Sequence, residues 1–177
     1  PPVMVAERSP PFGDWPPMVC GSMPGGGGGL ILSPVDAAQL LDNYPEAKPF
    51  VRRYVGAEEL TQGRTRFCIW VDDGDAEAAW AVPGLAKRFE AVRRMRAASK
   101  AASTRQHADV PHRFVQRAHQ GVSAMVVPRA TTKSRRYVPI GYVGPDTVVS
   151  DSALAVFGAE PWLFGVIQSY LHMVWLK

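Results

Sequence analysis

Cysteine is scarce in this 177-residue chain. Cys20 and Cys68 are the only two, and they do not form a C-x-x-C pair. That excludes a disulfide framework and any C-x-x-C zinc or redox motif, and predicts reduced thiols in a cytoplasmic protein. No apolar run approaches the roughly 20 residues that span a bilayer, and the proline-rich start lacks the charged and apolar regions of a signal peptide. A membrane partner is therefore not expected. His107, His112, His119 and His172 form no H-E-x-x-H and do not cluster with cysteine, so no metal site is predicted. Ser22, Ser99, Ser123 and Ser152 lack a G-x-S-x-G elbow. Glu58 and Glu59 are adjacent, and adjacent residues on a helix do not face each other. With no nucleophile, acid–base pair or metal set in view, the chain is expected to be non-catalytic.

Acid is the second scarcity, and it is local. Between residues 87 and 136 stand 13 Lys or Arg against two acids, Glu90 and Asp109, although the whole chain carries only +4. The remainder is net acidic. Ordinary surfaces intersperse the two signs, so a one-signed stretch of this length predicts a directed positive field and a polyanion partner. With 46% hydrophobic residues the chain is long enough to bury one core unaided. It begins at Pro1-Pro2 and stops soon after an apolar helical stripe, which reads as a fragment of something larger.

Glycine is plentiful. Gly25 to Gly29 are consecutive, without the Gly-Lys-Ser/Thr ending of a phosphate loop. Residues 1–29 are expected to be a Pro/Gly-rich connector and 30–177 the folded domain. Ser33-Pro34-Val35-Asp36 reads as an N-cap, a Pro at N1 and an acid at N3, opening a helix that Pro45 ends. Residues 67–71 alternate as a strand with Phe67, Ile69 and Val71 facing the core. Asp72-Asp73-Gly74-Asp75 lacks the spaced ligands of a calcium loop and reads as a turn. Leu85, Phe89, Val92 and Met95 recur at helical spacing, predicting a basic amphipathic helix over 85–102. Strands follow at 124–127, 137–142, 147–149 and 154–157, with Pro128 and Pro139 at edges or bulges. Pro161 opens an apolar C-terminal helix. The fold class is α+β, with a mixed or antiparallel sheet.

The basic segment divides by chemistry. Lys87, Arg88, Arg93, Arg94, Arg96, Lys100, Arg105 and Arg129 are expected to hold phosphates, which position a duplex without reading it. Between the strands at 124–127 and 137–142 lies a polar, basic tip whose Thr131, Thr132, Lys133, Arg135 and Arg136 suit base edges. Arg or Lys donates to guanine O6 and N7, and Thr serves either a base or a phosphate.

Five stretches make the chain recognisable: Pro16-Pro17-Met18-Val19-Cys20-Gly21-Ser22-Met23-Pro24 leading into Leu30-Ile31-Leu32-Ser33; Phe50-Val51-Arg52-Arg53-Tyr54-Val55-Gly56-Ala57-Glu58-Glu59; Arg66-Phe67-Cys68-Ile69-Trp70-Val71; Val127-Pro128-Arg129 with Arg135-Arg136-Tyr137-Val138-Pro139-Ile140-Gly141-Tyr142; and Phe164-Gly165-Val166-Ile167 with His172-Met173-Val174-Trp175. In these the chain resembles the target recognition domain of the MmeI-like adenine-specific DNA methyltransferases of restriction-modification systems. It departs from them where Gly25 to Gly29 replace the family's Asn-Asp-Gly-Gly, and where Thr131-Thr132-Lys133 replace Ser-Ser-Glu. The resemblance implies double-stranded DNA as partner, an upstream methyltransferase domain in the same chain, and S-adenosylmethionine as cofactor of that parent. No Asn-Pro-Pro-Tyr/Phe tetrapeptide occurs here, so no cofactor is expected in this chain. The alternative is a stand-alone RNA-binding or protein-interaction module.

Overall fold

A computed structural model describes residues 15–132 and 135–175. The chain opens with strand β1 (Met18–Cys20), then β2 (Ile31–Leu32), helix α1 (Pro34–Asn43) and a 3-10 turn (Pro45–Phe50). Strand β3 (Val51–Val55), α2 (Ala57–Gln62) and β4 (Phe67–Ile69) follow. After a second 3-10 turn (Asp73–Asp75) come α3 (Ala76–Ala81), α4 (Pro83–Ala97) and α5 (Ala102–Arg105). The last part holds β5 (Ala124–Pro128), β6 (Gly141–Val143), β7 (Thr147–Val149), β8 (Ala153–Phe157), α6 (Pro161–Ile167) and α7 (Tyr170–Trp175). The strands form two sheets, an antiparallel one ordered β1-β8-β5-β6 and a mixed one ordered β2-β4-β3-β7. The α+β class expected from the sequence is the one observed.

Local signals produced α1. Ser33 Oγ accepts from the Asp36 N–H at 3.1 Å, and Asp36 Oδ2 accepts from the Ser33 N–H at 3.2 Å. This reciprocal box satisfies two donors a helix start leaves open. The Ser33 bonds also hold the Asp36 carboxyl below its ordinary range.

The mixed sheet carries the larger core. Leu85, Phe89 and Val92 of α4 are buried among Leu30, Leu32, Ile69 and Tyr54, each such side chain stabilising by about 2 kcal/mol relative to exposure. Strand β4 differs from the one-faced expectation. Cys68 and Trp70 are buried as completely as Ile69 and Val71, because β4 lies inside its sheet and is covered on both faces. Burial pushes the Cys68 thiol up. Tyr54 is also buried, its phenol pushed up by desolvation, and its hydroxyl donates to the Ser22 carbonyl at 2.8 Å.

The glycine run is part of the fold and not a loose connector. β1 pairs with β8, and Gly25, Gly27 and Gly28 have φ of 57°, 58° and 87°, a region side chains disfavour. A Cβ at Gly29 would stand 2.6 Å from Val92 Cγ2, so the run turns tightly over α4.

Candidate nucleic-acid interface

Helix α4 begins at Pro83, where a missing N–H costs nothing, and stops at Ala97 rather than running to 102. Its exposed stripe is Lys87, Ala91 and Arg94, continued by Ala98 at the C-cap, spaced on one face. Lys100 and Arg105 extend the exposed basic surface beyond it. Arg105 Nη1 is braced by the carbonyls of Ser99 and Lys100, each at 2.8 Å. Among the described residues no carboxylate pairs with Lys87, Arg94, Lys100 or Arg105. Arg88 is half-buried and reaches the Gly29 carbonyl at 3.4 Å. Arg93 pairs with Glu90 at 2.8 Å and lies over Trp80.

Arg96 is a correction. It was expected at a phosphate and is instead fully buried, donating to the carbonyls of Pro24, Gly25, His107, Val110 and Arg113 at 2.7–3.2 Å. Burial alone lowers its affinity for its proton. Its position follows Leu85, Phe89 and Val92 at helical spacing, while Met95, read as core, is 36% exposed.

The tip between β5 and β6 is longer and less ribbon-like than expected. β6 pairs with β5 from Ala124↔Val143 to Val126↔Gly141, and residues 137–140 form no strand. Extending that register would set Pro128 opposite Pro139, two residues without N–H groups to continue the ladder. The released loop leaves Thr131, Thr132, Arg135 and Arg136 exposed. Lys133 and Ser134 lie outside the described residues. Arg129 reaches the Asp151 carbonyl at 3.3 Å, and Arg136 lies over the Tyr137 ring. Thr131, Thr132 and Arg135 line an open cleft of about 250 Å³ together with Ala57, Glu58 and Thr61 of α2.

Two cations of the basic segment find acids far away in sequence. Arg117 pairs with Asp72 at 2.6 Å, and Arg113 with Asp73 at 3.4 Å. The turn read only as a turn is thus a charge partner. Asp72 also accepts from Trp70 Nε1 at 3.0 Å and sits 3.8 Å from Arg52. Arg52 Nη1 is 3.2 Å from His119 Nε2. Burial, then the Arg52 cation, lowers the His119 imidazole below its ordinary value. No cluster of potential metal ligands occurs among the described residues.

Two exposed cationic surfaces thus stand apart, one on α4 and α5 and one on the loop between β5 and β6, with Glu90 inside the basic segment paired to Arg93. The family model described as "MmeI, target recognition domain" matches residues 1–177. The chain belongs to that family. DNA methyltransferase A of Bacillus subtilis (strain 168) is 29% identical over 175 residues, covering 99% of this chain and 20% of that protein. A solved structure of the Type IIL restriction-modification enzyme MmeI in complex with DNA matches with a TM-score of 0.88 and 28% identity, over 99% of this chain and 23% of that one. The chain thus spans about a fifth of the length of these relatives.

As an MmeI target recognition domain, the chain uses its five recognisable stretches mostly for architecture. Gly21 and Ser22 are buried beside β8, Tyr54 and Glu59 are buried, and β4 is interior. The stretches also leave surface residues, among them Met18, Arg53, Glu58, Val166, Val174 and the loop after Pro128. No composition signal marked Asp72, Asp73, Arg52 or Arg117 as one network. Only the pairing of an acidic turn with a surplus of arginine 40 residues later hinted at it.

Proposed function

We propose that this chain binds double-stranded DNA and supplies sequence choice to an S-adenosylmethionine-dependent DNA adenine-N6 methyltransferase of a restriction-modification system. The observation that carries the reading is a set of cations that pair with no carboxylate among the described residues: Lys87, Arg94, Lys100 and Arg105 on α4, α5 and the turn between them, and Arg129, Arg135 and Arg136 on the β5–β6 loop. Both relatives support it by their names, one a DNA methyltransferase and one solved with DNA. The two surfaces have different work: the helical one holds phosphates, and Thr131, Thr132, Lys133, Arg135 and Arg136 meet base edges.

Methyl transfer belongs to the parent. The 177 residues hold no Asn-Pro-Pro-Tyr/Phe tetrapeptide to grip a flipped adenine, so no step through the cofactor is assigned to them. The parent acts where cellular DNA is, in the cytoplasm. Its methyltransferase domain covers part of the apolar surface that Trp162, Val166, Tyr170, Leu171 and Val174 expose on α6 and α7. A salt titration of duplex binding tests the reading. Roughly six phosphate contacts give a log–log slope near −5. No duplex binding at low salt, or preference for single-stranded RNA in competition, would refute it.

A further inference from the structure

Glu58 and Glu59 are neighbours with opposite fates. Glu59 is buried: its Oε2 accepts from the Gly56 N–H at 2.8 Å and its Oε1 is 2.9 Å from Arg66 Nε. It closes the start of α2, and both of its oxygens are engaged. Glu58 is 61% exposed by side chain and pairs through Oε2 with Arg64 at 2.8 Å. Its Oε1 has no partner among the described residues.

The position of α2 makes that oxygen informative. Leu60 packs against the cluster that holds Ala124 and Val126 of β5, and a Cβ at Gly141 would stand 2.6 Å from Leu60 Cδ1. The helix is therefore clamped to both strands from which the 129–140 loop departs. Gly63, at φ 67°, ends α2 and turns the chain toward Arg64. Glu58 consequently lines the same cleft as Thr131, Thr132 and Arg135. A bare carboxylate facing a phosphate would be repelled. One neutralised by an arginine, with an acceptor still free, suits a base amino group, which is the pairing carboxylates make in the major groove.

We propose that Glu58 is a specificity-determining residue, accepting a hydrogen bond from the exocyclic amino group of a cytosine or adenine while Arg64 positions its carboxylate. This rests on the β5–β6 loop being the base-reading element.

The test presents the chain with a random-sequence duplex pool at low salt and sequences the bound fraction. The variants are Glu58→Gln, Glu58→Lys and Arg64→Ala, each checked for unchanged thermal unfolding. The wild type is expected to select cytosine or adenine at one position. Glu58→Lys should move that position toward guanine, whose O6 and N7 accept from lysine, and Glu58→Gln toward adenine. Arg64→Ala should loosen that position alone. Each change should alter discrimination there by about 5- to 150-fold, the equivalent of one good base contact. An unchanged motif in all three variants, or equal weakening at every position, overturns the proposal. So does duplex binding with no sequence preference, which leaves DNA binding itself standing. Absence of any duplex binding removes the underlying reading as well.

Discussion

Arg96 Nη2 donates to the carbonyl oxygen of Arg113 at 2.8 Å. A buried arginine on α4 thereby holds the backbone of an arginine whose own side chain turns outward to Asp73. With four further carbonyls on the same guanidinium, Arg96 ties the glycine run and the 107–113 segment to one helix. Replacing it with alanine should destabilise the chain by about 3–4 kcal/mol, at ~1 kcal/mol net per bond with some carbonyls rehydrated. Lysine, lacking the planar fork, should recover less than half of that. Urea unfolding reads both.

The α4 surface predicts a separation of binding from stability. Lys87 and Arg94 are exposed and unpaired among the described residues. Their double alanine variant should lower the magnitude of the salt slope by about 2 and weaken all duplex sequences alike. Its thermal midpoint should remain that of the wild type.

Arg135 should behave in the opposite way. Alanine there should relax discrimination at one base pair by about 1–3 kcal/mol while leaving most of the salt slope intact. Sequencing of the methylated motif in cells expressing the full-length protein with this change would show it. An unchanged motif would remove Arg135 from the base-reading set.

The pH dependence follows from His119. The folded state resists its protonation through burial first and then the facing Arg52 cation. Arg117 adds to that resistance, and Asp72 and Asp146 oppose it. His112 is lowered as well, again by burial first. An unfolded histidine titrates near 6.5. Below that pH the unfolded chain binds more protons than the folded one, so stability present at neutral pH is lost as pH falls. The thermal midpoint should be lower at pH 5.5 than at pH 7.5, and His119→Gln should flatten part of the difference.

Helix α1 was legible because its signal is local, a Ser-Pro-Val-Asp sequence whose bonds close within four residues. Strands β5, β7 and β8 were legible for a similar reason, as short apolar runs bounded by turns. The ribbon tip was legible only in part. Pro128 and Pro139 suggested edges or bulges, yet β5 is an interior strand between β8 and β6, and the facing register of the two prolines, with the loss of strand over 137–140, depends on how β6 pairs. The C-terminal helix reads as one stripe and folds as α6 and α7, with Gln168 donating to the Val138 carbonyl where they part.

By itself the sequence determined the α+β class, the local caps and turns, and the concentration of positive charge between residues 87 and 136, because these depend on residue type and short spacing. The tertiary structure alone decided which of those charges are available. Arg96 carries the same side chain as Arg94, two positions away, yet one is buried on five carbonyls and the other faces solvent. Arg113 and Arg117 are neutralised by Asp73 and Asp72 across 40 or more positions of chain. A cation's partner is set by distance in space, and that distance is created only when the two sheets and α4 come together.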